Sequence, residues 1–335
     1  MPHPTIRFIY LPSAVLILIA MSCTGKAPQS GPYLGQTPPV DEPELFAPGI
    51  VSTGLSVRDM AMTPDGNELY FGVVAGNYKH ATIAWCRREN GRWTTPEIAP
   101  FASDSRFFNL EPHITPDGQR FYFLSTRPPE GKEPLPGWGY QDIWVMDRTA
   151  DGWSEPYNLG PPVNSEAPEF FPSVTSDGTM YFTRGGRESY LYRARMVDGQ
   201  YAEPEKLGPE VNSTPAQYNA FIAPDESYLI FSTERPDGFG AADYYVCFRS
   251  AEDTWTEPIN LGERINSPGR FDYSPYVSPD GRYFFFCSQR LRSAAEVYGE
   301  EVSYEEMLAE LNAPENGSID IYWVEAAFIE QLRPR

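Results

Sequence analysis

The sequence predicts an all-β fold, a five-bladed β-propeller of four-stranded antiparallel blades. Three observations predict it. A block of residues recurs five times, with its turn aspartates at Asp65, Asp117, Asp177, Asp225 and Asp280, so that successive copies lie 52, 60, 48 and 55 residues apart. Each copy opens on a hairpin turn, from Pro64-Asp65-Gly66 to Pro279-Asp280-Gly281. In such a turn Pro presets φ, Asp bonds its own backbone and Gly takes the left-handed conformation. After each turn comes an aromatic and β-branched triplet, such as Leu69-Tyr70-Phe71 or Phe121-Tyr122-Phe123, the composition of a buried strand. A third strand follows, as in Asp142-Ile-Trp, Asp243-Tyr-Tyr or Asp320-Ile-Tyr, and a fourth surrounds Trp93, Trp153, Tyr201 or Trp255. Four short strands per unit of roughly 40–50 residues are the repeat of a propeller blade.

In chain order, the first segment lies outside the repeat. Arg7 precedes an apolar run from Phe8 to Met21, closed by Ser22-Cys23. About fifteen apolar residues are too few to span a bilayer, so residues 1–22 read as a signal peptide. The small residue before Cys23 makes the segment resemble a bacterial lipoprotein signal, which implies lipidation of Cys23; simple secretion is the alternative. Residues 23–41 are rich in Pro and Gly and are expected to form a flexible tether, and 42–335 the propeller. On this reading the membrane is met by a lipid anchor only.

Composition excludes several classes. Lys and Arg total 26 against 46 acids, a net charge of −20 without a basic cluster, which argues against nucleic acid. Beyond Cys23 the cysteines are Cys86, Cys247 and Cys287, an odd number within expected strands, so a disulfide framework is not expected. The three histidines, His3, His80 and His113, form no metal-binding pattern. No phosphate loop or nucleophile elbow is present, so no cofactor and no metal are expected. His113 falls on an innermost strand and is expected to be packed and hydrogen-bonded.

The last copy has its hairpin at residues 276–289 and a third strand at 319–324, but no fourth strand. The segment Glu42-Pro-Glu-Leu-Phe46 matches the outermost strand of the first blade, Pro96-Glu-Ile-Ala-Pro-Phe101, and has no hairpin before it. The N-terminal segment is therefore expected to supply the missing outer strand, which would leave no free sheet edge.

Trp153-Ser-Glu-Pro-Tyr-Asn-Leu-Gly, Trp255-Thr-Glu-Pro-Ile-Asn-Leu-Gly, Val163-Asn-Ser and Ile265-Asn-Ser, with the Pro-Asp-Gly hairpins, resemble the WD40-like, TolB-type PD40 propeller repeats of bacterial envelope proteins. The resemblance covers about residues 43–325. It implies a periplasmic or surface location and the binding of an envelope protein or a glycan. Members often stand beside an OmpA-like peptidoglycan module; none is read here, so cell-wall anchoring does not carry over.

Strand parity assigns the loops to faces. Connections from second to third strands, and between blades, share one side. Both long insertions, Pro128–Tyr140 and Leu291–Gly317, fall there. The second contains Ser303-Tyr-Glu-Glu306, a capping box, and then Met307, Leu308 and Leu311 at helical spacing. Its apolar stripe is expected to rest on the propeller and wall the channel mouth, or else on a partner. Function tends to reside on loops held by a rigid scaffold, so this is the expected binding face. The same face collects Asp59, Glu111, Glu169, Asn219 and Asp272 at the starts of first strands, and Arg127, Arg235 and Arg290 at the ends of second strands. These are candidate ligand-binding residues, with ion pairs and loop ties as the competing reading. A glycosidase-like enzyme using two carboxylates of this set at the mouth is the alternative function. Carboxylates engaged by arginine would favour the binder, and two unpaired ones the enzyme.

Overall fold

The computed structural model describes residues 29–334, apart from 270, 291 and 300. The signal segment, Cys23 and the start of the tether lie outside the described residues. The rest forms five antiparallel sheets arranged as the blades of a propeller.

Blade one is built from Ser56–Met62, Glu68–Ala75 and His80–Glu89, blade two from Asn109–Ile114, Arg120–Ser125 and Asp142–Thr149, and blade three from Glu169–Val174, Met180–Gly185 and Ser189–Ala194. Blade four uses Gln217–Ile222, Tyr228–Thr233 and Asp243–Phe248, and blade five Asp272–Val277, Tyr283–Ser288 and Asp320–Glu325. At the hairpin of blade one, Thr63 donates to Asp65 at 2.6 Å and Asp65 accepts the Asn67 amide at 3.0 Å. Thr115 with Asp117, Thr175 with Asp177 and Ser278 with Asp280 repeat the bond. Gly66 takes a φ of 65° there. In blade four Glu226 occupies the same left-handed position, and its carboxylate is held by Tyr181 and Arg249.

The fourth strands differ from expectation. In blades one and two the outer edge comes in two pieces, Arg92–Trp93 with Glu97–Ile98, and Gly152–Trp153 with Tyr157–Asn158. In blade three Tyr201 belongs to a separate hairpin, Met196–Val197 with Gln200–Tyr201, while the edge strand is Glu205–Lys206; in blade four Trp255 makes one bridge and the strand is Ile259–Asn260. The break falls at Pro96, Pro156, Pro204 and Pro258, which have no amide to donate. In blade five the outer position is taken by Glu44–Leu45, antiparallel to Trp323 and Tyr322.

The asparagine of the Asn-Ser motif works as a surrogate peptide. Asn164 accepts from the Ile143 amide at 3.0 Å and donates to the Ile143 carbonyl at 2.9 Å, tying the inter-blade loop to the third strand. Asn212 does the same to Leu191, and Asn266 to Tyr244. Adjacent blades meet through aromatic edge contacts such as Tyr70 on Phe121 and Tyr244 on Phe284.

Part of the expected tether is packed rather than free. Residues 29–36 lie on the propeller: the Trp93 indole donates to the Gly31 carbonyl, Leu34 is 3% exposed and Tyr33 packs on Tyr283 and Trp323. The expected helix in the last insertion is present as Tyr304–Leu311, with its Ser303 and Glu306 capping box, and a second capped turn precedes it at Ala294–Tyr298. Its stripe does not rest on the propeller. Tyr304, Met307, Leu308 and Leu311 are 75%, 52%, 42% and 62% exposed. The helix is held at its end instead, where Asn316 donates to the carbonyls of Gly54 and Leu311.

Candidate ligand-binding mouth

Each innermost strand carries a β-bulge, between Arg58 and Met60, Leu110 and His113, Phe170 and Ser173, Tyr218 and Phe221, and Tyr273 and Tyr276. Every bulge puts one residue in the left-handed region: Asp59, Glu111, Phe171, Asn219 and Ser274, with φ between 51° and 67°. Each stands six residues before its turn aspartate. A repeated bulge opens amides that the sheet ladder leaves unpaired.

Side chains of the neighbouring blades take up those groups and join all five blades. Ser274 donates to Asp59 at 2.5 Å, the Glu111 amide to Asp59 at 3.2 Å and the Phe171 amide to Glu111 at 2.8 Å. The Asn219 amide donates to Thr183 at 3.1 Å, and its side chain closes the circuit on Ser274 at 2.9 Å. A second tier lies deeper along the strands, where His113 accepts from the Val174 amide at 2.9 Å and the Tyr276 hydroxyl oxygen accepts from the Met62 amide at 3.0 Å. Below the ring the channel narrows to a gap of about 10 Å³, room for about one water at most.

Above the ring the channel opens into a cavity of about 810 Å³ on the insertion-bearing face. In four of the five blades the residue just before the bulge forms its floor: Arg58, Phe170, Tyr218 and Tyr273 all line it, whereas Leu110 of blade two does not. Tyr78, from the second-to-third connection of blade one, and Trp138, from the first long insertion, form the wall, their rings in contact at 5.5 Å between centres and tilted by 57°. No described residue of the last insertion lines the cavity; only the flanking Gln289, Ser318 and Ile319 do. Its helix does not line the mouth.

Arg58 is the hub. It is 7% exposed, donates to Asp59 and Glu111 at 2.8 Å each and to the Tyr78 hydroxyl at 3.0 Å, and lies 4.6 Å from the Tyr273 ring centre. Burial pushes the Glu111 carboxyl up to about 7, against the pull of the Arg58 guanidinium. Burial likewise lowers the His113 imidazole to about 4, so it stays neutral and able to accept the Val174 amide.

The expected set divides. Asp59, Glu111 and Asn219 belong to the ring, and Glu111 and Asn219 also line the cavity. Glu169 and Asp272 lie two residues earlier and tie loops: Glu169 accepts from Ser165 and from Arg184 at 2.7 Å, and Asp272 accepts from the Ser267 amide at 2.6 Å. Burial raises the Asp272 carboxyl to about 6. The arginines also tie loops. Arg127 donates to Asn109 and to the Phe101 carbonyl, Arg235 to Ser213, and Arg290 to the Arg264 and Ile265 carbonyls. None of these five lines the mouth. The aromatic floor and Trp138 escaped the sequence reading, although the residue before each bulge position repeats in register with the turns and could have been read from that spacing. Among the described residues, no group of three His, Cys, Asp or Glu side chains is placed to hold a metal ion.

The sequence matches no family model and no curated protein. Solved structures do match. The chain is similar in structure to TolB. TolB from Acinetobacter baumannii gives a TM-score of 0.46 at 16% identity, covering 81% of this chain and 57% of that one. A putative TolB from Agrobacterium tumefaciens gives 0.45 at 14%, covering 80% and 90%. A thermostable family-43 glycoside hydrolase gives 0.45 at 14%, covering 70% and 83%. Likenesses at this level speak to neither activity nor partner, which rest on the mouth itself.

Proposed function

We propose that the chain is an exported, lipid-anchored propeller that binds an envelope protein or a glycan through its insertion-bearing face. The observation that carries the binding reading is the mouth: a cavity of about 810 Å³ with an aromatic floor, in which the two channel carboxylates, Asp59 and Glu111, are both held by Arg58. A ligand pocket is mostly apolar with a few polar groups aimed into it. Glycoside hydrolysis needs one carboxyl free to give a proton and another free to attack or activate water. Here both carboxylates accept bonds from Arg58 and from backbone amides, so the glycosidase reading is the weaker one. Export and anchoring are supported by the apolar run ending at Cys23. No helix among the described residues is long and apolar enough to cross a membrane.

Two measurements test this. Detergent phase partitioning of the full chain should place wild type with membranes and Cys23→Ala in the aqueous phase; equal partitioning rejects the anchor. Immobilised protein should retain a protein or glycan from a solubilised envelope fraction, and Trp138→Ala should release it. Retention indifferent to Trp138→Ala rejects the mouth, and hydrolysis of glycan substrates by wild type but not by Glu111→Gln rejects the binding role.

A further inference from the structure

We infer that the mouth takes the end of a neutral saccharide chain. The inference rests on the binding reading above and concerns what the aromatic cavity selects.

The charge at the floor is already overmatched. One guanidinium, Arg58, faces two carboxylates, Asp59 and Glu111. An anionic group reaching this floor would have to displace one of them from a buried ion pair, and removing one partner of such a pair is strongly unfavourable. A cationic ligand would find the aromatic faces, but the Tyr273 face already carries Arg58 at 4.6 Å. The exposed Arg187 at the rim, with no acidic partner among the described residues, repels a cation further.

What remains on offer suits an uncharged ring of hydroxyls. A guanidinium has five N–H donors, and Arg58 spends three, on Asp59, Tyr78 and Glu111. Tyr78 accepts from Arg58, so its own hydrogen is free to donate. The hydroxyls of Tyr218 and Tyr273, and the side-chain amides of Asn77 and Gln141, line the cavity without a hydrogen bond to a described residue. The rings of Tyr78, Trp138, Phe170 and Tyr218 line the same cavity. The C–H face of a pyranose carries slight positive charge and meets the negative face of an aromatic ring, while its edge hydroxyls both donate and accept. A peptide fits less well. The mouth presents the ends of paired strands and no open sheet edge, so an extended backbone has no ladder to join. The volume is that of a site for a few sugar units, within the range of ordinary ligand pockets.

The test is an array of neutral oligosaccharides, with oligogalacturonate as the anionic control, probed with the purified propeller and followed by calorimetry on the hits. At least one neutral oligosaccharide should bind saturably, and Trp138→Ala and Tyr218→Phe should each weaken it, the former at least tenfold, with unchanged melting temperatures. Binding of oligogalacturonate alone, or neutral binding indifferent to both substitutions, overturns the inference. No saccharide binding, while an envelope protein is still retained in a Trp138-dependent manner, overturns it in favour of a peptide ligand and leaves the binding reading standing. Neither saccharide nor protein retained overturns both.

Discussion

Asp59 accepts bonds from three directions at once, from Ser274 of the preceding blade in the ring, from Arg58 beside it and from the Glu111 amide of the next blade. Its acidic type was visible in the sequence as one of a recurring set at strand starts. Its role was not, because the bulge that turns its side chain along the ring depends on backbone conformation, and a φ of 52° at a non-glycine residue leaves no mark in composition. His113 shows the reverse. Its place on an innermost strand was enough to expect a packed, hydrogen-bonded imidazole, and the structure gives it the Val174 amide as donor. That burial has a sign in solution. Folded, the imidazole titrates near 4, whereas an unfolded one titrates near 6.5, so the unfolded chain binds the extra proton between those values. Stability from this residue is full above about 6.5 and is lost as pH falls towards 4, by roughly 3 kcal/mol at 1.36 kcal/mol per pKa unit. Urea unfolding of wild type and His113→Phe at pH 4.5 and 7.5 should show the smaller pH loss in the variant; parallel losses would remove the neutral buried imidazole.

At the scale of elements, the hairpins were fully legible, because turn chemistry is local, and the split outer strands were not. Pro96, Pro156, Pro204 and Pro258 stood in plain view, but which side of each would pair depends on how the third strand curves. The helix Tyr304–Leu311 was legible from its capping box and spacing, and its surroundings were not. An eight-residue helix is marginal alone in water, yet this one keeps four apolar side chains largely in solvent and is fastened at its last turn to Gly54. Replacing Leu308 and Leu311 with Ser should therefore change the unfolding free energy, read by urea denaturation, by no more than surface substitutions do, about 0.5 kcal/mol each. A loss of 2–5 kcal/mol would mean the stripe is covered in solution.

Across the whole molecule, the first and the last described strands meet in blade five. Phe46 is fully buried against Phe285 and Trp323, and Leu34 and Val51 sit in the same cluster. We expect Phe46→Ala to lower stability by about 3–5 kcal/mol, read by urea denaturation, and removal of residues 29–41 to lower it measurably as well, since Leu34 and Tyr33 go with it. A Phe46→Ala variant as stable as wild type would show that the first residues do not hold the ring. The number of blades and the pairing of first with last followed from counting strands in the repeat. The cavity followed from nothing countable, because its walls come from all five blades and an insertion that only the closed ring brings together.

That meeting of ends also sets an order in time. Glu44 pairs with Trp323, roughly 280 residues later, so the earliest strand of the propeller waits for almost the last one to be synthesised. Until then blade five presents an unpaired margin and the ring of bonds from Ser274 to Asp59 is open. Closing so long a loop is slow compared with forming any one hairpin, which makes circularisation the late, committing step of folding and leaves the incomplete chain threadable until it happens.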